Sequence, residues 1–505
     1  MSESSPFALT KIIGTIGPAT EAADRFERLV EEGLRVVRLN LSHGTLDDHT
    51  RHIETVREVS RRTGLPLATL ADLPGPKIRL VGVQEAGIDV AAGDRVVFPD
   101  DAVACRPSDG EAPAELATTH QPVACEIQPG QRVLIDDGRV RLLAIAREEG
   151  EPDTAGRLVC RVTEGGRLHD KKGVNLPDTD LSMASVTDYD WQCVEWAIEQ
   201  SVDYLALSFV RSSEDVQQLQ RGLNQLNSAS GGDEASRPPI VAKIETPQAV
   251  GDLESIADAA DAVMVARGDL GVEMDPWEVP LVQKRAIRLA HDAGKPVIVA
   301  TQMLESMVER DSATRAEVSD IANAVMDGTD ALMLSGETAI GRHPDAAVRV
   351  MRRTASSAAR FAERETERRA GPPRKLQVGR YRTAALAHGV SVVVRDLGAR
   401  YVVVWSERGG GARYLSQNRL AVPILGASTS PAALRRMCLM FGVQPVAMDR
   451  PADVESFLEA IDRLMLSQAW AEPGDPIVVV VGEPLGTAGV TNEMRIHYVG
   501  DVCSL

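Results

Sequence analysis

The sequence has few cysteines and no two of them at a short spacing. Zinc sites and disulfide frameworks need clustered or regularly spaced cysteines, so neither is expected here. The pattern is that of reduced thiols, and we expect a cytoplasmic protein. The six cysteines are Cys105, Cys125, Cys160, Cys193, Cys438 and Cys503.

The sequence also lacks long apolar runs and any excess of basic residues. No run approaches the ~20 apolar residues of a membrane helix, and the polar start, Met1 to Pro6, lacks the pattern of a signal peptide. The net charge is −18, whereas nucleic acids and anionic membranes attract basic surfaces. We therefore expect no nucleic-acid or membrane partner. Any phosphate must be held by a local cluster of Lys and Arg.

The 505 residues are too many for one hydrophobic core and predict about three domains. Short aliphatic runs alternate with helical stretches, the pattern of repeated βα units. Eight such runs predict a (β/α)8 barrel, the TIM-barrel class of α/β fold. They are Lys11 to Gly17, Val36 to Ser42, Pro66 to Asp72, Tyr204 to Val210, Pro239 to Glu245, Ala262 to Asp269, Pro296 to Gln302 and Ala331 to Glu337.

Two further domains are expected beside the barrel. The excursion after the third run is too long for a loop, and its Val-rich segments with Gly-containing turns predict a small inserted β-barrel lid. A Gly371-Pro372-Pro373 linker precedes a C-terminal segment with the pattern of an open α/β sheet. The expected bounds are 1–75 and 177–355 for the barrel, 76–176 for the lid and 356–505 for the C-terminal regulatory domain.

Polar and charged residues follow the apolar runs, where the catalytic groups of such a barrel lie. Turns favour Gly, Asn, Asp and Pro, so the Lys and Arg at these positions indicate function rather than chain reversal. The residues are Arg38, Asn40, Ser42, Asp72, Ser208, Lys243, Glu245, Arg267, Asp269, Thr301, Gln302 and Glu337.

Glu245 and Asp269 follow neighbouring strands and are expected side by side. Two carboxylates with open water positions suit Mg²⁺ or Mn²⁺, although structural salt bridges are the alternative. Lys243 points to the same side as Glu245 and can stabilise a phosphoryl group, and Arg38 adds a second cation. This combination favours phosphoryl transfer, a chemistry of positioning and charge neutralisation.

Two weaker signals lie beside this set. The glycine-bearing segment from Ala266 to Gly271 leads into a turn or short helix whose N–H groups can bind a carboxylate or phosphate. Thr301 offers a hydroxyl that can orient a substrate or relay a proton, but a structural role for a buried threonine explains it equally well.

The strings TKIIGTIGPAT, RLNLSHGT, KKGVNLP, SFVR, AKIET, VARGDLGVE, GKPVIVATQMLESM, TRAEVSDIANAV and DGTDALMLSGETAIG resemble the pyruvate kinases in residues, order and spacing. The resemblance extends from Thr10 to about Gly341, and the C-terminal domain is similar only in outline. It implies phosphoryl transfer from phosphoenolpyruvate to ADP, giving pyruvate and ATP in the last step of glycolysis. It also implies a homotetramer.

The resemblance assigns roles at the matching positions. Arg38 is implied to contact the phosphate and Lys243 to stabilise the transferring group. Glu245 and Asp269 are implied to hold the divalent metal. Gly268 and Asp269, with Thr301, are implied to seat the carboxylate of phosphoenolpyruvate and to assist protonation of the enolate.

Further implied roles concern the nucleotide and a monovalent cation. Arg79 and Lys172, at the two hinges of the lid, are implied to reach the nucleotide phosphates, and Asn40 lies near them. His43 is interpreted as a turn residue near the nucleotide, since cleaving an enol phosphate needs no general base. The residues that match the monovalent cation site are Asn40, Ser42, Asp72 and the carbonyl of Leu73.

Two departures from the family pattern bear on regulation. Lys77 stands where potassium-dependent members carry Glu, so K⁺ is expected to be dispensable even if it binds. The glycine-rich loop from Ser406 to Gly411 can cradle a phosphate, but Glu407 adds a repelling charge and Gly411 replaces the usual Thr or Ser. We expect weak or no activation by fructose 1,6-bisphosphate, with a sugar monophosphate or AMP as the preferred effector.

Two alternatives remain open at this point. One is an inactive regulatory homologue that binds phosphorylated metabolites without transferring the phosphoryl group. The other is a different metal-dependent barrel enzyme acting on pyruvate or phosphoenolpyruvate, which the lid motif KKGVNLP and Arg79 disfavour.

Overall fold

The structure is a computed structural model that describes residues 7–149, 156–229, 237–365, 381–482 and 491–501. Cys503 and the Gly371-Pro372-Pro373 segment lie outside the described residues. The five other cysteines are free thiols. Among the described helices, none combines the length and apolar character needed to cross a bilayer. Strands and helices are numbered below in chain order.

Eight parallel strands close into a barrel, as predicted, in the order β1-β17-β16-β15-β14-β13-β3-β2. Their sequences are dominated by Val, Ile, Leu and Ala because parallel barrel strands are covered by helices outside and by packed side chains inside. The strands are β1 (Lys11–Thr15), β2 (Val36–Asn40), β3 (Ala68–Asp72), β13 (Tyr204–Leu207), β14 (Ile240–Ile244), β15 (Ala262–Ala266), β16 (Val297–Ala300) and β17 (Ala331–Leu334).

Most of the predicted runs extend two or three residues beyond the observed strands. The largest difference that affects the site follows β15, which ends at Ala266. Asp269 was expected at the strand end but lies in the first turn of a short helix, α8 (Arg267–Glu273). Gly268 packs closely against Thr301 in this turn, since a Cβ at position 268 would lie 3.3 Å from the Thr301 hydroxyl oxygen.

Helices surround the barrel and several begin with a capping box, in which a Thr hydroxyl and an acidic side chain satisfy each other's backbone N–H groups. The boxes are Thr45 with Asp48, Thr187 with Asp190, and Thr314 with Glu317. A 3₁₀ turn spans Glu305–Val308. The helices are α1 (Ala23–Glu31), α2 (Leu46–Thr63), α4 (Asp188–Glu199), α5 (Ser213–Ala229), α6 (Pro247–Gly251), α7 (Leu253–Ala259), α8, α9 (Val279–Asp292), α10 (Arg315–Asp327), α11 (Gly336–Ala339) and α12 (Pro344–Glu365).

The insertion after β3 forms a β-rich unit with its own core. A seven-stranded sheet has the order β4-β12-β8-β9-β10-β6-β7 and is antiparallel except for the β6–β7 pair, and a second sheet pairs β11 with β5. Its elements are β4 (Ile78–Arg79), β5 (Ile88–Val90), β6 (Arg95–Pro99), β7 (Ala114–Glu115), α3 (Val123–Glu126), β8 (Arg132–Ile135), β9 (Val140–Glu148), β10 (Arg157–Glu164), β11 (Gly166–Leu168) and β12 (Gly173–Asn175).

The C-terminal unit is an open five-stranded sheet in the order β20-β19-β18-β21-β22, with β22 antiparallel to β21. Apolar clusters cover both of its faces. Helix α12 continues to Glu365, so the expected boundary at residue 355 falls inside a helix. The elements are α13 (Tyr381–Leu397), β18 (Tyr401–Trp405), α14 (Gly410–Gln417), β19 (Ile424–Ser428), α15 (Pro431–Met437), β20 (Val443–Ala447), α16 (Val454–Ser467), β21 (Pro476–Val481) and β22 (Glu493–Tyr498).

The C-terminal unit covers the N-terminal end of the barrel. Cys438 and Leu439 belong to the apolar cluster inside the barrel. Arg435 donates to the Asp203 carboxylate over 2.8 Å, and the Tyr204 hydroxyl donates to a carbonyl of α15 over 2.6 Å. The residues that follow the barrel strands therefore lie at the opposite end from this junction.

Lys11 is buried at the covered end of the barrel. Its side chain lies near Arg35 and Cys438, and its Nζ is 3.4 Å from the Ala8 carbonyl oxygen. The pKa of Lys11 is lowered to about 7, mainly by burial; Cys438 opposes this shift, and the positive charge of Arg35 adds a smaller lowering effect. The folded chain thus favours the neutral amine.

This burial predicts a pH-dependent stability that Lys11→Met should remove. Between pH 7 and 10.5 the unfolded chain binds a proton at Lys11 that the folded chain does not, so the free energy of unfolding should rise with pH over that interval. Lys11→Met should abolish this rise and be more stable than the parent protein near pH 7, by an amount on the order of a few kcal/mol.

The measurement is the melting temperature from pH 7 to 10. The exposed-lysine variant Lys284→Met is the control and should keep the parental slope, since its ammonium remains largely in solvent. An unchanged slope in Lys11→Met would show that Lys11 is charged in the folded protein.

Candidate active site

An ion cluster lies at the carboxyl ends of neighbouring barrel strands, with the ammonium of Lys243 at its centre. Lys243 lies on β14 and is 8% exposed. Its Nζ is 2.7 Å from the Ser208 hydroxyl oxygen, 2.8 Å from Glu245 Oε1 and 3.1 Å from Asp72 Oδ1. Three oxygens thus surround an ammonium with three N–H donors.

The charge state of Lys243 follows from these neighbours. Burial alone lowers the pKa of the ammonium, but the carboxylates of Asp72 and Glu245 outweigh burial, so its pKa is raised above the ordinary value. Burial acts in the opposite direction on Asp72, and the charges of Lys243 and Arg38 still hold its pKa below the ordinary value. Lys243 therefore stays positively charged at neutral pH.

Arg38 joins the cluster from β2. Its Nε donates to Asp72 Oδ2 over 2.7 Å, and its Nη1 donates to the Thr15 hydroxyl of β1 over 3.2 Å. The Ser208 hydroxyl also lies 2.7 Å from the Leu73 carbonyl oxygen. Arg38 is thus held by a neighbour on each side of its own strand, with part of its guanidinium at the open end of the barrel.

Two carboxylates lie close together beside Lys243. Glu245 is fully buried, and its Oε2 accepts a hydrogen bond from the Phe209 N–H over 2.8 Å. Burial raises the pKa of Glu245, the Lys243 charge opposes that rise, and the nearby charge of Asp269 adds to it. Such mutual repulsion is typical of a site that a cation neutralises.

The donor set fits a hard divalent cation. Glu245 Oε1 is buried and accepts no aligned hydrogen bond, since Lys243 Nζ is within ion-pair distance but off the hydrogen-bonding direction. Asp269 is partly exposed at the start of α8. Among the described residues no three His, Cys, Asp or Glu side chains converge as a metal cage. Two carboxylates with the remaining positions open to water or substrate oxygens suit Mg²⁺ or Mn²⁺.

Thr301 follows β16 and faces the start of α8. Its hydroxyl accepts a hydrogen bond from the Gly268 N–H over 2.7 Å and donates to the Ala300 carbonyl over 2.6 Å. Thr301 and Gln302 both have left-handed backbone conformations, with φ of 66° and 55°. The hydroxyl is therefore fixed beside the first turn of α8 by the Gly268 N–H.

The hinge residues of the lid are held by the lid itself. Arg79 on β4 pairs with Gly173 on β12, and its Nη1 donates to the Lys171 carbonyl over 2.9 Å. Lys172 Nζ lies 2.7 Å from Asp136 Oδ1. Among the described contacts neither side chain reaches the Lys243 cluster, so the structure brings these two residues together with each other and not with that cluster.

The remaining predicted residues lie on the turn after β2 or at the end of β3. Asn40 Oδ1 accepts a hydrogen bond from the Ser42 N–H over 3.4 Å. The His43 side chain is exposed, and its carbonyl accepts a bond from the His49 ring, as befits a turn residue. Asp72 is engaged by Arg38 and Lys243, whereas the Leu73 carbonyl faces Ser208.

Several residues have contacts that their sequence positions did not predict. Ser208 and Arg267 were noted only as strand-end positions, although Ser208 contacts Lys243, and Arg267 donates to the Thr301 carbonyl over 2.9 Å. The expectation of function at Glu337 is not supported, because this buried carboxylate accepts bonds from the backbone N–H groups of Leu304 and Ser335 and holds a turn. The polar strand-end position was the available signal in all three cases.

Comparison with known proteins agrees with this geometry. The family model "Pyruvate kinase, barrel domain" matches residues 7–348, and "Pyruvate kinase, alpha/beta domain" matches residues 384–497. The chain belongs to the pyruvate kinase family. It is a phosphotransferase that moves the phosphoryl group of phosphoenolpyruvate to ADP, giving pyruvate and ATP in the last step of glycolysis, and the resemblance of the sequence motifs is confirmed.

Relatives match nearly the whole chain. The pyruvate kinase of Corynebacterium efficiens is 40% identical over 97% of this chain and 98% of its own length, and that of Mycobacterium tuberculosis is 38% identical over the same shares. A crystal structure of a pyruvate kinase from Cryptosporidium parvum has a TM-score of 0.85 and 30% identity, and covers 97% of this chain and 96% of its own.

Proposed function

We propose that the ion cluster around Lys243 carries out the phosphoryl transfer. The observation that carries this proposal is the buried, permanently charged ammonium of Lys243 next to Arg38 and to the carboxylates of Glu245 and Asp269. In the reaction an oxygen of the β-phosphate of ADP bonds to phosphorus while the bond between phosphorus and the enol oxygen breaks. Lys243 and Arg38 stabilise the charge on the moving group.

Glu245 and Asp269 would hold the divalent ion, Mg²⁺ or Mn²⁺. When bound, it neutralises charge on the phosphoryl and enolate oxygens. The fully buried Glu245 Oε1 without an aligned donor supports this assignment. Gly268, Asp269 and Thr301 seat the carboxylate of phosphoenolpyruvate by their N–H and hydroxyl groups, and Thr301 assists the delivery of a proton to the methylene carbon of the enolate.

The nucleotide is assigned to the space between the lid and the open end of the barrel. Arg79 and Lys172 lie on or beside adjacent short strands at the two hinges, so their charges are positioned together. They bind the phosphates of ADP, with Asn40 and His43 nearby on the turn after β2. In this arrangement closing of the lid brings the two cations towards the cluster.

Lys243→Met should abolish pyruvate formation from phosphoenolpyruvate, ADP and Mg²⁺, because the ammonium is needed where charge develops in the transition state. Binding of phosphoenolpyruvate should remain within a few-fold of the parent value. Exchange of the methyl protons of pyruvate should persist, since it involves no phosphoryl movement. The measurement is a coupled assay of pyruvate together with proton exchange in D₂O.

The melting temperature is the control for folding, since removing Lys243 leaves two buried carboxylates without their cation. Turnover within tenfold of the parent enzyme would show that Lys243 has another role. An inactive parent enzyme would instead support a regulatory homologue that binds phosphorylated metabolites without transferring them.

We further propose that K⁺ is not required, although Asn40, Ser42, Asp72 and the Leu73 carbonyl form a site at which it can bind. Lys77 is half-buried, and its Nζ lies 6.0 Å from the centre of the Phe209 ring. The N–H of Phe209 donates to Glu245. Phe209 thus lies between the Lys77 ammonium and Glu245, and we infer that this tethered ammonium supplies the charge that K⁺ provides elsewhere.

Initial rates with and without K⁺, in tetramethylammonium buffer at saturating Mg²⁺ and substrates, should be nearly equal. Lys77→Glu should gain K⁺ dependence, because it replaces the fixed positive charge with a negative one. Activation of the parent enzyme by about a hundredfold, close to 3 kcal/mol of activation free energy, would contradict the proposal.

Regulation by a phosphorylated effector is assigned to the loop between β18 and α14. The Glu407 carboxylate accepts hydrogen bonds from the Trp405 indole and the Thr429 hydroxyl, each over 3.2 Å, which fixes a negative charge in the loop. A Cβ at Gly411 would lie 3.2 Å from the Thr491 hydroxyl oxygen. The fixed negative charge of Glu407 repels a doubly phosphorylated ligand more than a singly phosphorylated one, and Gly411 offers no hydroxyl to bind a phosphate.

Fructose 1,6-bisphosphate should therefore activate weakly or not at all, whereas a sugar monophosphate or AMP should activate. The measurement is the rate at subsaturating phosphoenolpyruvate with each effector, and Glu407→Gln should improve the response to the bisphosphate. Strong activation by micromolar bisphosphate would refute the assignment.

We also propose a homotetramer in the cytoplasm. Trp277, two residues before α9, is 73% exposed, and Leu281 in the first turn of α9 is 67% exposed. The edge strand β22 exposes Ile496 and Tyr498. Two separate apolar surfaces on one chain suit the two interface types of a dihedral tetramer. The five free cysteines support a reducing compartment.

A further inference from the structure

Arg267 lies at the start of α8 with its side chain turned away from solvent. The residue is 8% exposed. Its Nη2 donates to the carbonyl oxygens of Thr301 over 2.9 Å and of Gln302 over 3.3 Å. Its Nη1 forms an ion pair with the Asp320 carboxylate of α10 over 2.7 Å. One guanidinium therefore links the end of β15, the turn after β16 and a barrel helix.

The turn that Arg267 contacts has an unfavourable backbone conformation. Thr301 and Gln302 are consecutive left-handed residues, a conformation uncommon for side chains other than Gly, Asn and Asp. Such a turn persists only where surrounding contacts enforce it. The two carbonyls that accept from Arg267 are those of these two residues, so the guanidinium holds the strained turn directly.

The turn determines where the Thr301 hydroxyl lies. That hydroxyl accepts a bond from the Gly268 N–H over 2.7 Å, and Gly268 follows Arg267 in the chain. The backbone of α8 thus contacts the hydroxyl of Thr301 while the side chain of the first α8 residue contacts its carbonyl. Any rotation of the turn would move the hydroxyl relative to the N–H groups of α8.

We propose that Arg267 is a positioning residue that acts on phosphoryl transfer through Thr301. The inference rests on the proposed role of Thr301 in seating the carboxylate of phosphoenolpyruvate and in protonating the enolate. A planar guanidinium can donate to two carbonyls and a carboxylate at once, which a lysine ammonium cannot do with the same geometry. Asp320 holds the guanidinium in place and supplies its counter-charge.

A purely structural role makes a different prediction. If Arg267 only fills space and pairs with Asp320, its replacement lowers stability but changes activity no more than replacement of another arginine that binds backbone carbonyls. Arg35 offers such a comparison, because its Nη1 donates to the carbonyls of Val30 and Leu34, both over 2.8 Å, before β2 at the other end of the barrel.

The experiment is a double-mutant cycle in the full-length enzyme with Arg267→Lys, Thr301→Ala and the double variant. Arg267→Lys should lower kcat by about ten- to a hundredfold, as expected from a small misplacement of a reacting group, with KM for ADP within threefold of the parent. The double variant should be no slower than Thr301→Ala within about threefold, because both changes remove the same function.

Two further measurements separate positioning from stability. Exchange of the methyl protons of pyruvate should fall in Arg267→Lys by a factor similar to that for kcat, since Thr301 assists that proton transfer. Arg35→Lys should keep kcat and the exchange rate within twofold of the parent. Asp320→Asn leaves Arg267 in the chain but removes its counter-charge, so it should lower kcat in the same direction and gives a second test if Arg267→Lys folds poorly.

The proposal is wrong if both Arg267→Lys and Asp320→Asn retain kcat within twofold, or if the effects of Arg267→Lys and Thr301→Ala multiply in the double variant. A parent enzyme that forms no pyruvate would instead refute the proposed function. Melting temperatures of all variants identify losses that arise from unfolding.

Discussion

The buried ammonium of Lys243 is the contact on which the rest of the site depends. Taking an ammonium and two carboxylates out of water costs several kcal/mol for each ion unless they neutralise one another. Asp72, Ser208 and Glu245 supply that compensation from three different strand ends. Removing one partner leaves the others uncompensated, so the cluster is cooperative and its geometry is rigid before any substrate arrives.

The closed barrel explains why these residues meet although they are distant in the chain. The strands β2, β3, β13, β14, β15 and β16 are consecutive neighbours in the barrel. The site residues follow the same order around one arc. They are Arg38, Asp72, Ser208, Glu245, Asp269 and Thr301. The lid is inserted between β3 and β13, in the middle of this arc, and the C-terminal unit covers the other end of the barrel.

The sequence was sufficient to predict the barrel, the insertion and the polar residues that follow the strands, because the periodicities and the apolar runs reflect burial directly. It was not sufficient to predict where strands end. The predicted sixth run continues through Arg267 and Gly268 to Asp269, but β15 ends at Ala266 and the backbone turns into α8 at Arg267. The left-handed conformations of Phe209, Thr301 and Gln302 have no signal in composition. Contacts such as that between Arg267 and the Thr301 carbonyl depend on those conformations.

Both hinges of the lid contact elements of the site, so the position of the lid and the geometry of the ion cluster are coupled. On the entry side, Gly75 packs tightly on Ser208 and Phe209, since a Cβ added at Gly75 would lie 3.0 Å from each. Ser208 contacts Lys243, and Phe209 contacts Glu245. On the exit side, Asn175 of β12 donates to the Glu273 carboxylate of α8 over 2.6 Å.

The hydrogen bond between Asn175 and Glu273 depends on the charge of Glu273, which Asp269 influences. Burial raises the pKa of Glu273 to about 7, the hydrogen bond from Asn175 opposes the rise, and the negative charge of Asp269 adds to it. A cation bound at Asp269 would lower that repulsion and favour the ionised form of Glu273, which accepts the stronger hydrogen bond from the lid. Under the proposed metal assignment, a cation at Asp269 would therefore strengthen the hydrogen bond between the lid and α8.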